Sequence, residues 1–179
     1  MAKITLKGNP VNTYGDLPPA GTTAPDFALV GSDLATLRLS DLKGKKVVLS
    51  ISPSLDTSVC ATSVRKFNKL AAGKENVVVL AITKDLPFAH GRFCTTEGIT
   101  NVVTLSGFRD TDFAKSYGVG ILDGSFEGLY ARALVVVDEN GTQVTFAVKE
   151  GAAITDAAGA AIELAKLEAG KKVKVTYTT

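Results

Sequence analysis

Cys60 and Thr57 have the residue types and the spacing to make a sulfur nucleophile. The stretch Pro53-Ser54-Leu55-Asp56-Thr57-Ser58-Val59-Cys60 follows directly on the apolar run Val47-Val48-Leu49-Ser50-Ile51 and leads into a helical pattern that starts near Ser58. A cysteine is thereby delivered to the first turn of a helix, just past the end of a buried strand. N–H groups in a first turn lack helical partners, and the helix dipole adds partial positive charge there. Both favour thiolate over thiol, and the thiolate is the species that attacks. The Thr57 hydroxyl, on the residue three positions earlier, can cap the helix or donate to a thiolate. Pro53 removes an N–H and stiffens the approach loop, shielding the sulfur from water. The plain alternative is a small buried hydrophobe, which is what a cysteine on an apolar helical stripe usually is. Against it stands the position of Cys60 at a strand-to-helix edge, where ligands reach.

The elements that must position these residues follow from periodicity. Cys60, Val64, Phe67 and Ala71 recur at helical spacing, with Arg65 beside the stripe and Gly73 as its end. Val77 to Ile82 is fully apolar and suits a central parallel strand. Asp85-Leu86-Pro87 opens a second helix with Leu86, Ala89, His90 and Phe93 on one side, Cys94 near its end and Gly98 beyond. Gly91 inside that helix costs about 1 kcal/mol relative to alanine, which makes it a point of easy local unfolding. His90, one turn before Cys94, reads as an exposed lone histidine rather than a partner for that sulfur.

Elsewhere, Ile4–Leu6 and Val11–Tyr14 read as an N-terminal hairpin, Asp26–Val30 and Thr36–Leu39 as short strands, and 46–51 as a buried strand. Val102–Leu105 is a further strand, and 112–118 a short helix. Tyr130–Val137 and Thr142–Val148 form a hairpin around Asn140-Gly141, and an alanine- and leucine-rich helix runs from Ile154 to Glu168. Parallel strands, then an antiparallel hairpin and a closing helix, give an α/β sandwich around a mixed sheet, in a thioredoxin-like order. No linker divides the chain, so 1–179 is expected to be a single domain, with 1–15 as a hairpin extension.

Bulk properties narrow the function. A hydrophobic fraction of 45% supports a sizeable core, and a net charge of +2 with no long basic run argues against nucleic acid or an anionic membrane as partner. The start of the chain lacks the continuous apolar core of a signal peptide, and no uncharged apolar run reaches the ~18 residues of a membrane span. A cytoplasmic protein is expected. Two cysteines and one histidine are too few for a disulfide scaffold or a structural zinc site. In a reducing compartment such a pair is more often redox-active.

Pro53-x-x-x-Thr57-x-x-Cys60 resembles the active-site motif of the peroxiredoxins. The longer string Ser54 to Asn68, with Asp85-Leu86-Pro87-Phe88-Ala89-x-x-Arg92-Phe93-Cys94, Asn101 to Ser106 and the opening Gly8-Asn9-Pro10-Val11, is similar to bacterial atypical 2-Cys members of that family. The resemblance covers essentially the whole chain. It implies a thiol-specific peroxidase that reduces hydrogen peroxide and organic hydroperoxides, with Cys60 oxidised to a sulfenic acid and Cys94 resolving it as a Cys60–Cys94 disulfide. Thr57 then binds thiolate and peroxide, Pro53 walls the pocket, and an arginine from a later strand supports the sulfur. Arg132 matches that arginine, with Arg65 and Arg109 as rivals. Asp56 and Glu127 receive no catalytic role. The resemblance further implies thioredoxin or a similar dithiol as reductant, a homodimer, and no metal, haem or flavin cofactor. Two other readings stay open: resolution of Cys60 by an external thiol, and a non-enzymatic redox-sensing or holdase module switched by the disulfide.

Overall fold

The computed structural model describes residues 1–6, 8–146, 152–155 and 174–177. Strands β3 (Ala28–Gly31), β4 (Thr36–Arg38), β5 (Lys46–Ile51), β6 (Val77–Thr83), β7 (Val102–Ser106), β8 (Ala133–Val137) and β9 (Gln143–Phe146) form a seven-stranded sheet in the order β4-β3-β7-β6-β5-β8-β9. The three central strands β5, β6 and β7 run parallel, and β3, β4, β8 and β9 add antiparallel edges. This is the expected mixed sheet. Its apolar central strands are buried on both faces, which explains why Val47-Val48-Leu49 and Val79-Leu80-Ala81-Ile82 show no polar alternation.

Alternate residues of those strands feed two different cores. Val48, Val79, Ala81, Val102, Leu134 and Val136 pack under helix α1 (Ser58–Ala71) and helix α2 (Pro87–Glu97), meeting Val64, Phe67, Ala71 and Phe93. The opposite set, including Leu49, Ile51, Leu80, Ile82 and Val135, packs under helix α3 (Phe113–Ser116) with Phe113 and Tyr117. The stripe read from the sequence for α1 is the buried one: Cys60, Val64, Phe67 and Ala71 all face inward. Helix α2 buries only Pro87, His90 and Phe93, and ends at Gly98 in a left-handed conformation whose N–H meets the Cys94 carbonyl.

The N-terminal hairpin is β1 (Ala2–Leu6) paired with β2 (Asn9–Thr13). It packs Val11, Ile4 and Leu6 on Ile121, Phe126 and Ala131 of the glycine-rich segment ahead of β8. Gly118 lets that segment pass close to the N-terminal arm: its φ is +67°, and a Cβ there would lie 2.3 Å from the Asp16 carbonyl oxygen.

Near the C-terminus the alanine-rich reading needs correction. Ile154 and Thr155 lie in strand β10 (Ala152–Thr155), which pairs antiparallel with β11 (Lys174–Tyr177). These β-branched residues pair with Val175 and Lys174, a setting that suits a strand. The rest of the expected helix, 156–168, lies outside the described residues, as do Ala147 and Val148 of the expected hairpin.

Candidate active site

The approach loop is held to the sheet before it turns. Ser52 continues the ladder of β5 by donating its N–H to the Ile82 carbonyl at 3.0 Å, and Pro53 behind it is buried. A turn follows in which the Thr57 N–H reaches the Ser54 carbonyl at 3.3 Å, and α1 begins at Ser58 with Thr57 as its N-cap. Of the two roles open to the Thr57 hydroxyl, capping is not the one taken, because no side-chain capping bond is present. The hydroxyl instead lies 2.7 Å from Cys60 Sγ and 3.1 Å from the Ser54 oxygen. A hydroxyl has one proton to give. The sulfur contact is the shorter of the two, and an anionic sulfur is a stronger acceptor than a neutral carbonyl, so the proton goes to a Cys60 thiolate.

Arg132 supplies the second donor, with Nη2 3.1 Å from Cys60 Sγ. It lies just ahead of β8, since the expected strand from Tyr130 starts only at Ala133. Ala133 is registered opposite Ile51, so Arg132 arrives beside the exit of β5, where Pro53 and Cys60 are. The segment before it is clamped by the Ala131 N–H to the Val119 carbonyl at 2.7 Å and by the hairpin's apolar contact with Ala131. The rival arginines are engaged elsewhere. Arg65 forms a two-pronged bond to Glu97 at 2.7 Å on each prong, and Arg109 lies over the Phe108 ring. Cys60 is 1% exposed, so both donors act on the sulfur with little water to screen them. Thr57 and Arg132 are therefore brought onto Cys60, with Pro53 buried at the start of the same loop.

Cys94 is not at that place. It is half-buried on α2, packs against the apolar layer under α1, and has its sulfur 3.7 Å from Thr104 Oγ1. Both cysteines are free. The exposed setting expected for His90 is overturned: its side chain is 0% exposed and its Nε2 lies 2.8 Å from Thr83 Oγ1. It sits on the same face as Phe93, three residues on, and that spacing was the available signal. Burial pulls the imidazole below its ordinary range, opposed only in part by the Asp85 carboxylate. Asp56 pairs with Arg92 at 3.4 Å on the surface, far enough into solvent to contribute little.

Sequence reasoning missed Asp85. With Leu86 it reads only as part of the helix-start signal, and it does lie just outside α2, but its Oδ2 also accepts the Leu55 N–H at 2.7 Å and thereby ties down the loop between Pro53 and Thr57. Its partner is 30 residues away, so nothing in the local pattern could have pointed to it. Among the described residues no cluster of histidine, cysteine, aspartate and glutamate could hold a metal ion, and no helix is long and apolar enough to cross a membrane.

The Redoxin family model matches residues 19–160. The chain is 52% identical over 141 residues to the thiol peroxidase of Mycobacterium tuberculosis, covering 79% of this chain and 84% of the relative. Among solved structures, a peroxiredoxin-like protein from Aquifex aeolicus is 40% identical, with a TM-score of 0.77 over 82% of this chain and 85% of its own. The thiol peroxidase from Chromobacterium violaceum, 22% identical, shares the fold with a TM-score of 0.74 over 81% of this chain and 85% of its own. With a thioredoxin-like peroxiredoxin fold, a matching family model over most of its length and a thiol peroxidase as a 52% identical relative, the chain belongs to the Redoxin family and, within it, to the thiol peroxidases.

Proposed function

We propose that this thiol peroxidase reduces hydrogen peroxide and organic hydroperoxides at Cys60, and that Cys94 completes the cycle. The observation that supports this most is the convergence of Thr57 Oγ1 and Arg132 Nη2 on Cys60 Sγ, at 2.7 and 3.1 Å. Donors so placed stabilise a negative sulfur and can also hold a peroxide oxygen beside it. The Cys60 thiolate attacks one peroxide oxygen, and the O–O bond breaks. The departing alkoxide or hydroxide takes a proton and leaves as alcohol or water, and Cys60 is oxidised by two electrons to a sulfenic acid. The Cys94 thiol then condenses with it, expelling water and forming the Cys60–Cys94 disulfide. Thioredoxin or a similar dithiol returns two electrons and two protons by thiol–disulfide exchange. The sulfur carries the whole redox change, so the cycle as written needs no metal, haem or flavin.

The two sulfurs have separate partners on separate helices. Both are free, and we take the first turn of α1 and part of α2 to unwind in each turnover so that they can meet. Cysteines used for redox chemistry rather than as structural cross-links fit a reducing compartment, and we place the protein in the cytoplasm. We take 1–179 as one functional unit, with 1–15 as the extension that steadies the segment before Arg132, and the active form as a homodimer.

A thioredoxin-driven peroxide-consumption assay on the wild type, Cys60→Ser and Cys94→Ser tests the scheme. Loss of turnover in both variants is expected. Full turnover by Cys94→Ser would instead indicate resolution by an external thiol. Slow peroxide consumption by freshly reduced wild type would indicate a redox-sensing or holdase module.

A further inference from the structure

The chain's single histidine is buried, and its hydrogen bonds lead to the loop of Cys60. The Thr83 hydroxyl at the end of β6 lies 2.8 Å from His90 Nε2, 3.0 Å from the Asp85 N–H and 2.9 Å from Asp85 Oδ2. A hydroxyl gives one proton and takes two, so the arrangement has one consistent reading. Thr83 donates to the Asp85 carboxylate and accepts from the Asp85 N–H and from His90 Nε2–H. Asp85 Oδ2 also accepts the Leu55 N–H at 2.7 Å. His90 Nδ1 has no hydrogen-bond partner among the described residues, and the Nε2–H tautomer leaves a bare lone pair there rather than an orphaned N–H. Burial favours that neutral imidazole. Asp85 is fixed from the sheet side as well, because Ser106 at the end of β7 donates to its carbonyl.

We propose that His90 is a positioning residue for the peroxide site: through Thr83 and Asp85 it ties the helix that carries Cys94 to the loop that carries Pro53 and Thr57. The chain of bonds is unbroken from the imidazole on α2 to the Leu55 amide, two residues before Thr57. While α2 is folded, the imidazole N–H polarises the Thr83 hydroxyl and so strengthens its bond to the carboxylate that anchors the loop. When α2 unwinds to release Cys94, His90 leaves with it and the anchor weakens. The helix that supplies the resolving thiol thus also steadies the pocket before resolution begins. This rests on the assignment of Cys60 and Cys94 above.

The test compares His90→Phe, which fills the site without a donor, His90→Gln, which restores an N–H, and Thr83→Val, which removes the hydroxyl at constant shape. Amide exchange at Leu55 is measured in the reduced protein, and the rate of Cys60 oxidation in a single turnover. Loss of one hydrogen bond in the relay is expected to speed Leu55 exchange about five-fold and to slow Cys60 oxidation by a similar factor in His90→Phe and Thr83→Val. His90→Gln should recover most of both. In an Asp85→Ala background, His90→Phe should add nothing further. Unchanged Leu55 exchange in His90→Phe and Thr83→Val would overturn the proposal, and so would additive effects of His90→Phe and Asp85→Ala. The exchange measurement involves no peroxide, so its outcome stands apart from whether Cys60 is the nucleophile.

Discussion

Replacing Thr57 by valine separates the two jobs a hydroxyl at this position can do. Valine keeps the shape and removes only the hydroxyl. A threonine that caps a helix loses about 0.5–2 kcal/mol of stability on such a change. Here the hydroxyl makes no capping bond and the Ser54 carbonyl keeps the Thr57 N–H at 3.3 Å, so less than about 1 kcal/mol of stability should go. The reaction should suffer far more. The lost bond is the 2.7 Å contact to Cys60 Sγ. A hydrogen bond to a charged group contributes about 1.5–3 kcal/mol, which corresponds to about 10- to 150-fold in the rate of sulfur attack. The chain has no tryptophan, so the assay is rapid quenching of reduced protein with substoichiometric peroxide, read by mass spectrometry, alongside a thermal melt. Thr57→Ser, which keeps the hydroxyl, should stay near the wild-type rate. A Thr57→Val protein that melts several degrees lower yet attacks peroxide at the wild-type rate would refute the reasoning and return Thr57 to the role of a plain cap.

Three further outcomes follow from the same geometry. Arg132→Lys keeps the charge but not the planar fork that sets Nη2 3.1 Å from the sulfur, and it should slow Cys60 oxidation about tenfold with little change in melting temperature. Gly91→Ala fits sterically, since its Cβ would meet only Ser32 Cβ at 3.9 Å. It should stabilise α2 by about 1 kcal/mol and slow disulfide formation about five-fold, without altering the peroxide step; exchange at residues 88–97 reports the same change. His90 has an ordinary value of 6.5, lowered by burial in the folded chain. The unfolded segment therefore binds a proton more readily than the folded one. The stability owed to the neutral buried ring is present above about pH 6.5 and declines as the pH falls below it. Amide protection in α2, taken relative to an unstructured amide at the same pH, should fall on acidification in the wild type and lose that dependence in His90→Gln.

Much of this site was legible because its parts are local. Pro53, Thr57 and Cys60 lie within eight residues, and the strand 46–51 and the α1 stripe that present them are strongly patterned. Arg132 was reachable only through the family likeness, because what brings it to Cys60 is the antiparallel register of β5 with β8 and not any nearby spacing. Arg65 stands as a rival on sequence alone, and its bond to Glu97, 32 residues on, is visible only in the fold. The exposed setting expected for His90 fails, and the role of Asp85 stays hidden, for the same reason. A histidine is assigned to solvent by its polarity, and only the fold shows that Thr83 waits at the end of the neighbouring strand to take its N–H. The β-branched pair Ile154 and Thr155 reads as part of an alanine-rich helix because its strand partners, Val175 and Lys174, lie far along the chain.

The central claim is that Cys60 is the sulfur that meets the peroxide. Its most direct test treats reduced Cys94→Ser with one equivalent of hydrogen peroxide in the presence of a sulfenate-trapping 1,3-diketone, followed by peptide mapping. In this variant the oxidised sulfur has no internal thiol to condense with, so a single adduct on the peptide containing Cys60 is expected. Peroxide consumed with no adduct on Cys60 would contradict the account.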